Sequence, residues 1–441
     1  MKSRAFVPVV LLLPLVAACD YPGLDIFKKS KRPPPPSDAT GGELVIDGCN
    51  GAKIRSVQGA TPPYLSDPTL GPNPTPQMVH LNMTADPART MTVLWRTGDS
   101  ETLVSKVQFG TNGMLDKEVD GVTFSYKAYD PEADVRIHEA LLCGLTPDTE
   151  YSYRVGGKVG GVEAWSPTYT FRTAPDRAAS PDAEAVILVI GDTRDGYGTW
   201  GTALQKALER EQPDFIMFNG DAVTLGPLQE EWDAWFNAAP QLASIPMAYA
   251  HGNHDVNSVN FYSQFTFPND ETNYAFDWGP VHVAVANDTP VDINDVRTTI
   301  AETLAQNLQS DAPFKLAMHH KPAFTATASP RIVDVTLVRE SFQKYFDQYH
   351  VDMVFNGHDH DYERTKPLNG MEVKQTPAEG TIYVVAGSAG AVLYDVGSQY
   401  WTEKSEKVFN FALLKVRRTQ LQFTAYRALD GSTLDSLTIS K

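Results

Sequence analysis

The segment Gly357-His358-Asp359-His360-Asp361-Tyr362-Glu363-Arg364 follows a short apolar run, Met353–Phe355, and Asn356. A continuous apolar run of this kind, bounded by a turn residue, is typical of a strand covered on both faces. The sequence therefore predicts two histidines, separated by one residue, at the carboxyl end of a buried strand. Open α/β sheets bind their ligands at that edge, so both histidines are candidate ligands of a functional site.

Four other apolar runs end in the same way, each in Asp, Asn or His. They are Ala185–Ile190 with Gly191-Asp192, Phe215–Phe218 with Asn219-Gly220-Asp221, Pro246–Ala250 with His251-Gly252-Asn253-His254-Asp255, and Phe314–Met318 with His319-His320-Lys321-Pro322. One histidine at a strand end is usually a hydrogen-bonded structural residue. Five such ends have no comparable explanation, because buried carboxylates and imidazoles without partners are costly.

The five strand ends together predict a metal centre. Mixed oxygen and nitrogen donors suit Fe, Mn or Zn, as two divalent ions or a mixed-valence pair, and the absence of cysteine disfavours a structural zinc site. A helix is predicted at Thr202–Arg210, between two of the apolar runs. This alternation of strand and helix predicts an α/β domain over residues 183–441.

Residues 62–175 have a different pattern, with short alternating strands and no helical periodicity. Such strands are predicted at Thr92–Thr97, Ser152–Val155 and Thr168–Thr173. This pattern indicates an all-β sandwich, in which aromatic residues such as Trp95 belong to the core. The 441 residues are enough for both domains,.

The strand-end blocks resemble those of the calcineurin-like metallophosphoesterase superfamily. The block that begins at Gly357 is similar to the Gly-His-x-His-x-Tyr-Glu-Arg block of purple acid phosphatases. Upstream, Trp95 and Leu145–Tyr151, which looks like a tyrosine corner, resemble a fibronectin type III domain, and Val107–Thr111 is similar to the amino-terminal domain of purple acid phosphatases. The resemblance implies a fibronectin type III-like sandwich followed by a metallophosphoesterase domain, a β-sheet sandwich flanked by helices.

The resemblance also implies a role for each strand-end residue. It assigns Asp192 and His360 to a first metal, Asp221 to both metals, and Asn253, His320 and His358 to a second metal. His320 is preferred to His319 because the ligand of this family precedes x-Pro, here Lys321-Pro322. His319 is then a possible contact of the substrate or of a metal ligand. His254 is not a ligand in the family and is expected above the substrate, as an acid or a phosphate contact.

Hydrolysis of a phosphate ester needs these parts. Two cations about 3.5–4 Å apart lower the pKa of a shared water from ~15.7 toward neutrality, and the resulting hydroxide attacks phosphorus. Both metals offset the charge on the phosphoryl oxygens. His254 can then protonate the departing alkoxide. We expect a phosphoesterase, with monoesters favoured over diesters.

The sequence departs from the family pattern near the first metal. Purple acid phosphatases have a tyrosine where Thr224 stands, and other members have Asp-x-His where this chain has Asp192-Thr193-Arg194. The first metal therefore lacks one protein ligand, which Tyr197, Asp195 or water could replace. Arg194 could contact the phosphate, since guanidinium suits bidentate contacts, or form a surface salt bridge. Two further hypotheses stay open: a degenerate site that binds phosphorylated or cell-envelope ligands without turnover, and a structural surface protein.

The first residues predict export. Lys2 and Arg4 precede an apolar stretch, Phe6–Val16, that is about half the ~20 residues needed to cross a bilayer,. Leu15-Val16-Ala17-Ala18-Cys19 resembles the bacterial lipobox. The resemblance implies that residues 1–18 are a lipoprotein signal peptide and that Cys19 is lipidated. The protein is then anchored to the membrane on the extracytoplasmic side of a bacterial cell envelope; an ordinary signal peptide is the alternative.

Residues 19–61 are predicted to be a linker, extended and solvated as far as about Gly42, with four consecutive prolines,. Cys49 and Cys143 could form a disulfide in that compartment or remain two separate thiols. Removing residues 1–18 would take the formal net charge from −17 to −19, because it removes Lys2, Arg4 and no acid. Such acidity argues against nucleic acid as a partner. A phosphate-ester substrate is expected, and no sequence feature points to a protein partner.

Overall fold

The computed structural model describes residues 42–45, 49, 53–56, 73–99, 102–127, 134–256, 258–269, 271–290 and 292–441. The predicted signal peptide, Cys19 and the first part of the predicted linker lie outside these ranges. Within them, none of the helices has the length and apolar character that crossing a lipid bilayer requires.

A hairpin lies within the range that was predicted to be a linker. Strands β1 (Gly42–Val45) and β2 (Lys53–Ser56) pair antiparallel. Cys49, between them, forms a disulfide with Cys143. The range predicted to be a linker therefore contains a hairpin that the disulfide fastens to the folded domain, and composition alone does not reveal a cross-link.

The next domain is the predicted β-sandwich. Its strands are β3 (Pro76–Asn82), β4 (Met91–Thr97), β5 (Lys106–Thr111), β6 (Lys117–Asp120), β7 (Val122–Lys127), β8 (Asp134–Leu142), β9 (Glu150–Val159), β10 (Val162–Trp165) and β11 (Tyr169–Arg172). One sheet has the order β3-β4-β8-β7 and the other β10-β9-β5-β6, with β11 also on β9. Trp95, Val107 and Tyr153 lie in the core between them. The Tyr151 hydroxyl accepts a 2.9 Å hydrogen bond from the Thr146 N–H, a contact of the tyrosine-corner type,.

The rest of the chain alternates strands and helices before ending in a meander. Its elements are β12 (Ala185–Ile190), α1 (Tyr197–Leu208), β13 (Phe215–Phe218), α2 (Gln229–Ala238), β14 (Met247–Tyr249), α3 (Val259–Gln264), β15 (Tyr274–Trp278), β16 (Val281–Val285), α4 (Ala301–Asn307), β17 (Phe314–Met318), α5 (Ile332–Tyr349), β18 (Met353–Asn356), β19 (Tyr362–Thr365), β20 (Leu368–Asn369), β21 (Glu372–Val373), β22 (Ile382–Val385), β23 (Thr402–Glu406), β24 (Asn410–Arg417), β25 (Gln420–Arg427) and β26 (Thr433–Ser440). A π-helical turn, Val296–Ile300, precedes α4, and short 3₁₀ helices lie at Pro240–Ala243 and Pro377–Glu379.

Two sheets enclose the main core of this domain, as the metallophosphoesterase resemblance implied. One has the order β26-β25-β24-β12-β13-β14 and the other β15-β16-β17-β18-β22-β19-β23. Trp200 of α1 and Trp235 of α2 stack with ring centroids 5.7 Å apart, and Phe342 of α5 lies in a second core with α4 and the outer face of the second sheet. Helices therefore cover the sheet sandwich.

The first sheet continues into the β-sandwich. Strand β14 pairs with β3 at Met247 and Asn82, and the Met83 N–H donates to the Met247 carbonyl at 2.9 Å. The result is one sheet of ten strands that runs through both domains. The sequence did not predict this continuity. The alternating strands of the first domain and the strand–helix alternation of the second are separate patterns, and neither shows which backbone strands pair across the boundary.

The five predicted strands are all present, but they are divided between the two sheets. Strands β12, β13 and β14 are parallel neighbours in the first sheet, and β17 and β18 are parallel neighbours in the second. A parallel bridge between Gly191 and Ser388 joins the two sheets at this end. Helix α1 begins at Tyr197, five residues before the predicted start. The prediction was late because Gly198 and Gly201 are weak helix formers; Gly201 lies against α2, where a Cβ would come 2.8 Å from the Ala238 carbonyl oxygen.

Candidate metal centre and active-site cleft

Two loops that follow neighbouring strands carry the central carboxylates. Asp192 follows β12 and Asp221 follows β13, and both have positive φ, 46° and 55°. A non-glycine residue in this region costs on the order of 1–2 kcal/mol. The loops hold each other, since the Asp192 N–H donates to Gly220 O at 2.9 Å and the Thr193 N–H to Asp221 O at 3.1 Å. These hydrogen bonds hold both residues in the strained conformation, which places the two carboxylates side by side.

One cluster of donor atoms, called the first donor group here, comprises Asp192, Asp221 and His360. One ligand atom from each lies within 4.8 Å of the others, and all three residues are buried. The His360 Nδ1–H donates to the Val392 carbonyl at 2.8 Å. Its Nε2, 3.6 Å from Asp192 Oδ1, is therefore the free donor atom, an arrangement usual for metal-binding histidines.

The second donor group comprises Asp221, Asn253, His320 and His358. Asn253 Oδ1 lies 3.2 Å from His320 Nε2 and 2.8 Å from His358 Nδ1. His320 Nε2 is also 3.3 Å from Asp221 Oδ1, while its Nδ1–H donates to the Asn219 carbonyl at 2.7 Å. Asp221 thus belongs to both groups, which is the position of a bridging ligand.

Both groups fit metal ions chemically. Carboxylate, imidazole and amide donors without thiolate suit first-row transition metals and zinc. The first group supplies three protein residues and the second four. Neither Tyr197 nor Asp195, the two candidates from the sequence, adds a donor to the first group. The Tyr197 hydroxyl donates to Glu231 at 3.0 Å, and Asp195 Oδ1 accepts the Thr224 hydroxyl at 2.7 Å.

The structure brings His320, and not His319, to the donor atoms. His319 is fully buried beside Asp288, with 2.9 Å between its Nδ1 and the carboxylate. Its ring stacks on Phe346 at 5.9 Å between centroids. His319 is therefore a buried packing residue behind the centre.

The buried carboxylates and histidines of the two donor groups shift one another's pKa values. Burial raises the pKa of Asp192 well above its usual value. Burial acts in the same direction on Asp221, but the neighbouring His320 outweighs it and lowers the pKa of Asp221. Burial alone would lower the pKa of His320, yet Asp221 raises the pKa of His320 to about 10. A proton on His320 Nε2 would therefore compete with a metal ion for the same nitrogen,.

Metal binding at the second donor group should release that proton, because only the deprotonated Nε2 can coordinate. With the pKa of His320 at about 10, the apparent affinity should fall about tenfold for each pH unit of acidification below that value. Titration calorimetry in two buffers of different ionisation enthalpy measures the released protons. Metal binding without proton release would contradict the assignment of His320.

His254 faces the cleft from the same loop as Asn253. Its Nδ1 lies 2.7 Å from the Thr224 carbonyl oxygen, and since a carbonyl only accepts, Nδ1 carries a proton. Nε2 lies 4.0 Å from Asp221 Oδ2, and the side chain is 28% exposed. The backbone N–H of His254 donates to Asp221 Oδ1 at 2.8 Å. The ring is therefore held by its rear nitrogen and presents Nε2 to the cleft.

Sequence reasoning assigned no role to two further residues. The buried carboxylate of Asp255 accepts from the N–H groups of Asp221, Ala222 and Gly252 and from the Tyr249 hydroxyl, at 2.8–3.0 Å. It ties together the two loops that carry Asp221 and Asn253. Tyr394 stacks on His360 with 4.3 Å between ring centroids. Asp255 is part of the strand-end block His251–Asp255, so the sequence could have singled it out. Tyr394 lies in a loop that carries no recognisable motif.

A cleft of about 420 Å³ opens over both donor groups. Its lining includes Arg194, Asp221, His254, Arg331, His358 and Tyr394. One wall is a pair of loops, in which the Ala328 N–H donates to Asp395 O at 2.7 Å and the Gly397 N–H to Ala326 O at 2.8 Å. The site is therefore open to a ligand on one side and closed by the two sheets on the other.

Three family models match the chain in succession: "Purple acid Phosphatase, N-terminal domain" over residues 76–173, "Calcineurin-like phosphoesterase" over residues 185–362, and "Iron/zinc purple acid phosphatase-like protein C" over residues 380–436. A protein of Arabidopsis thaliana named "Probable inactive purple acid phosphatase 1" is 27% identical over 69% of this chain and 58% of its own length. Purple acid phosphatase 15 of the same plant is 27% identical over 71% of this chain and 68% of its own length.

The chain thus spans less than two thirds of the first of these relatives. The structure of purple acid phosphatase PPD1 from yellow lupin (Lupinus luteus) seeds superposes with a TM-score of 0.74 at 22% identity, covering 85% of this chain and 75% of that one. It supports the fold alone. Over residues 76–436 the chain therefore carries, in order, a purple acid phosphatase N-terminal domain, a calcineurin-like phosphoesterase domain and a purple acid phosphatase-like C-terminal domain.

Proposed function

We propose that this protein hydrolyses phosphate esters, monoesters in preference to diesters, at a centre of two metal ions chosen from Fe, Mn and Zn. The observation that carries the proposal is the position of Asp221. Its carboxylate belongs to a group of three donor residues on one side and a group of four on the other. A single buried carboxylate shared in this way suits two neighbouring cations better than one.

The chain's own residues have separable roles in this reaction. When bound, the two metal ions would supply the Lewis acidity that activates water and offsets phosphoryl charge. Asp255 holds the loops of Asp221 and Asn253 in place. His254 presents Nε2 to the cleft and, as an imidazolium, would protonate the leaving group. Arg194 and Arg331 line the cleft and favour a monoester, which carries more negative charge than a diester at neutral pH.

A second function has specific support. The first donor group has only three protein residues, and some similar plant proteins carry "probable inactive" in their names. The alternative is a protein that binds phosphorylated or cell-envelope ligands without turnover. The retained His254 opposes it, because a binding site needs no acid for a leaving group.

Turnover after metal loading separates the two functions. The protein would be stripped with chelator, reloaded with Mn, Fe or Zn, and assayed with p-nitrophenyl phosphate and bis-p-nitrophenyl phosphate, with metal content measured by mass spectrometry. We expect two metals per chain and faster hydrolysis of the monoester. Two bound metals without hydrolysis of either ester, or of a wider panel of monoesters, would favour the binding function.

We further propose that the protein is held at the membrane by lipid on Cys19, on the extracytoplasmic side of a bacterial envelope. The support is the lipobox-like Leu15–Cys19 after a short apolar stretch. Cys19→Ser should move the protein from the membrane fraction to the soluble fraction, because the apolar stretch is too short to span. Cys49→Ser is the matched control and should stay in the membrane fraction. Retention of the Cys19→Ser protein in membranes would contradict lipidation.

A further inference from the structure

Arg194 is fixed beside the first donor group by the backbone of the neighbouring loop. It lies two residues after Asp192, and its N–H donates to the Asp221 carbonyl at 3.3 Å. The preceding Thr193 donates to the same carbonyl at 3.1 Å. The guanidinium is therefore carried by the same paired loops that present the two central carboxylates, and it lines the cleft.

The guanidinium is nearly buried but incompletely paired. Arg194 Nε is inaccessible to solvent and has no hydrogen-bond partner among the described residues. The nearest carboxylate oxygens are Asp195 Oδ2, 3.4 Å from a terminal nitrogen, and Asp221 Oδ2, 3.8 Å from Nε. The salt bridge with Asp195, whose side chain is 54% exposed, is therefore present, but Arg194 itself is only 16% exposed and its Nε takes no part in that pair. A buried donor without an acceptor costs roughly 1–3 kcal/mol, so an anionic partner from outside the chain is expected.

The position of that partner follows from two distances. Asp221 Oδ2 lies 3.8 Å from Arg194 Nε and 4.0 Å from His254 Nε2. Arg194 and His254 therefore stand over the same carboxylate oxygen, and both line the open cleft. A phosphate bound in the cleft between these two side chains could contact the Arg194 guanidinium through its phosphoryl oxygens. Its ester oxygen, the atom of the leaving group, would then face His254.

We propose that Arg194 binds the phosphoryl group of the substrate, donating hydrogen bonds from its guanidinium to phosphoryl oxygens. The planar guanidinium matches two oxygens of a phosphate at once. It would add positive charge on the side where the first donor group has three protein residues. The assignment rests on the proposed function for the identity of the substrate, but binding of phosphate itself can be measured without turnover.

The test is the affinity of the metal-loaded protein for inorganic phosphate, measured by titration calorimetry, with metal content measured on the same samples. Arg194→Gln should weaken phosphate binding about 10- to 100-fold, the range for hydrogen bonds to a charged group, with the metal content unchanged. Arg194→Lys keeps the charge without the planar fork and should fall between Gln and the native residue. If the proposed reaction occurs, kcat/KM should drop about 10²–10³-fold in Arg194→Gln.

Lys407→Gln is the matched control. It removes the same charge from the same cleft, but Lys407 is paired with Asp395 at 2.9 Å. Its phosphate affinity should change less than about threefold, because an exposed charge acts only through screened solvent. Equal weakening in both variants, or native affinity in Arg194→Gln, would overturn the assignment. So would loss of metal in Arg194→Gln, since Arg194 would then support the centre. If Arg194→Gln weakens phosphate binding but the metal-loaded native protein turns over no ester, the proposed hydrolysis is wrong. The assignment of Arg194 as a phosphate-binding residue would still stand.

Discussion

Asp221→Asn should lower turnover of phosphate esters at least about 10³-fold and reduce the bound metal from two ions per chain to one or none. The carboxylate belongs to both donor groups, so its loss weakens both sites and leaves two cations facing each other without a bridging anion. Transition-state stabilisation by metals is worth several kcal/mol, and each 1.4 kcal/mol is a factor of ten in rate. Mass spectrometry of metal content and steady-state kinetics measure the two effects.

The asparagine variant separates chemistry from folding. Its amide oxygen can still accept the His254 N–H, which donates to Asp221 Oδ1 at 2.8 Å, so the loop should keep its shape. Asp195→Asn is the matched control, because Asp195 belongs to neither donor group. Its Oδ1 accepts the Thr224 hydroxyl and its Oδ2 makes only a long, 3.4 Å contact with Arg194, so an amide of the same shape should disturb neither metal nor substrate strongly. We expect two bound metals and turnover within about threefold of the native rate there. Near-native turnover in Asp221→Asn would remove Asp221 from the bridging role.

The strand ends could be predicted because their signal is local. A strand buried on both faces must be apolar throughout, so the residue at which polarity returns marks the edge of the sheet. Ala185–Ile190 and Phe314–Met318 have the same bounds in the structure as in the pattern. The division of the five strands between two sheets could not be predicted, because a doubly covered strand has the same composition in either sheet.

The supporting residues of the site could not be predicted, because their contacts are distant in sequence. Asp255 acts through donors on Asp221 and Ala222, more than thirty residues away. Tyr394 reaches His360 from a loop 34 residues later. Tyr197 has a side chain of the right type to complete the first donor group, but its hydroxyl donates to Glu231 of α2 instead. The residue type alone identifies candidate ligands and supporting residues. The three-dimensional packing decides which of them reach the site.

His254→Ala should leave both metals in place. The side chain belongs to neither donor group, and the hydrogen bond to Asp221 comes from the backbone N–H, which alanine retains. The rate with an alkyl phosphate should fall about 10²–10⁴-fold, the usual contribution of a general acid. The loss should be much smaller with p-nitrophenyl phosphate, because p-nitrophenolate can leave without a proton.

The comparison of the two leaving groups in one metal-replete variant decides what His254 does. The Nδ1–H is held by the Thr224 carbonyl at 2.7 Å, so Nε2 is the atom that can deliver a proton. If His254 only orients the phosphate, both substrates should slow by a similar factor, and equal losses would overturn the role of general acid. Loss of metal from His254→Ala would instead place His254 among the ligands, against its position outside both donor groups. His254→Gln controls for size, because it fills the same space without an ionisable group and should reproduce the leaving-group dependence of alanine.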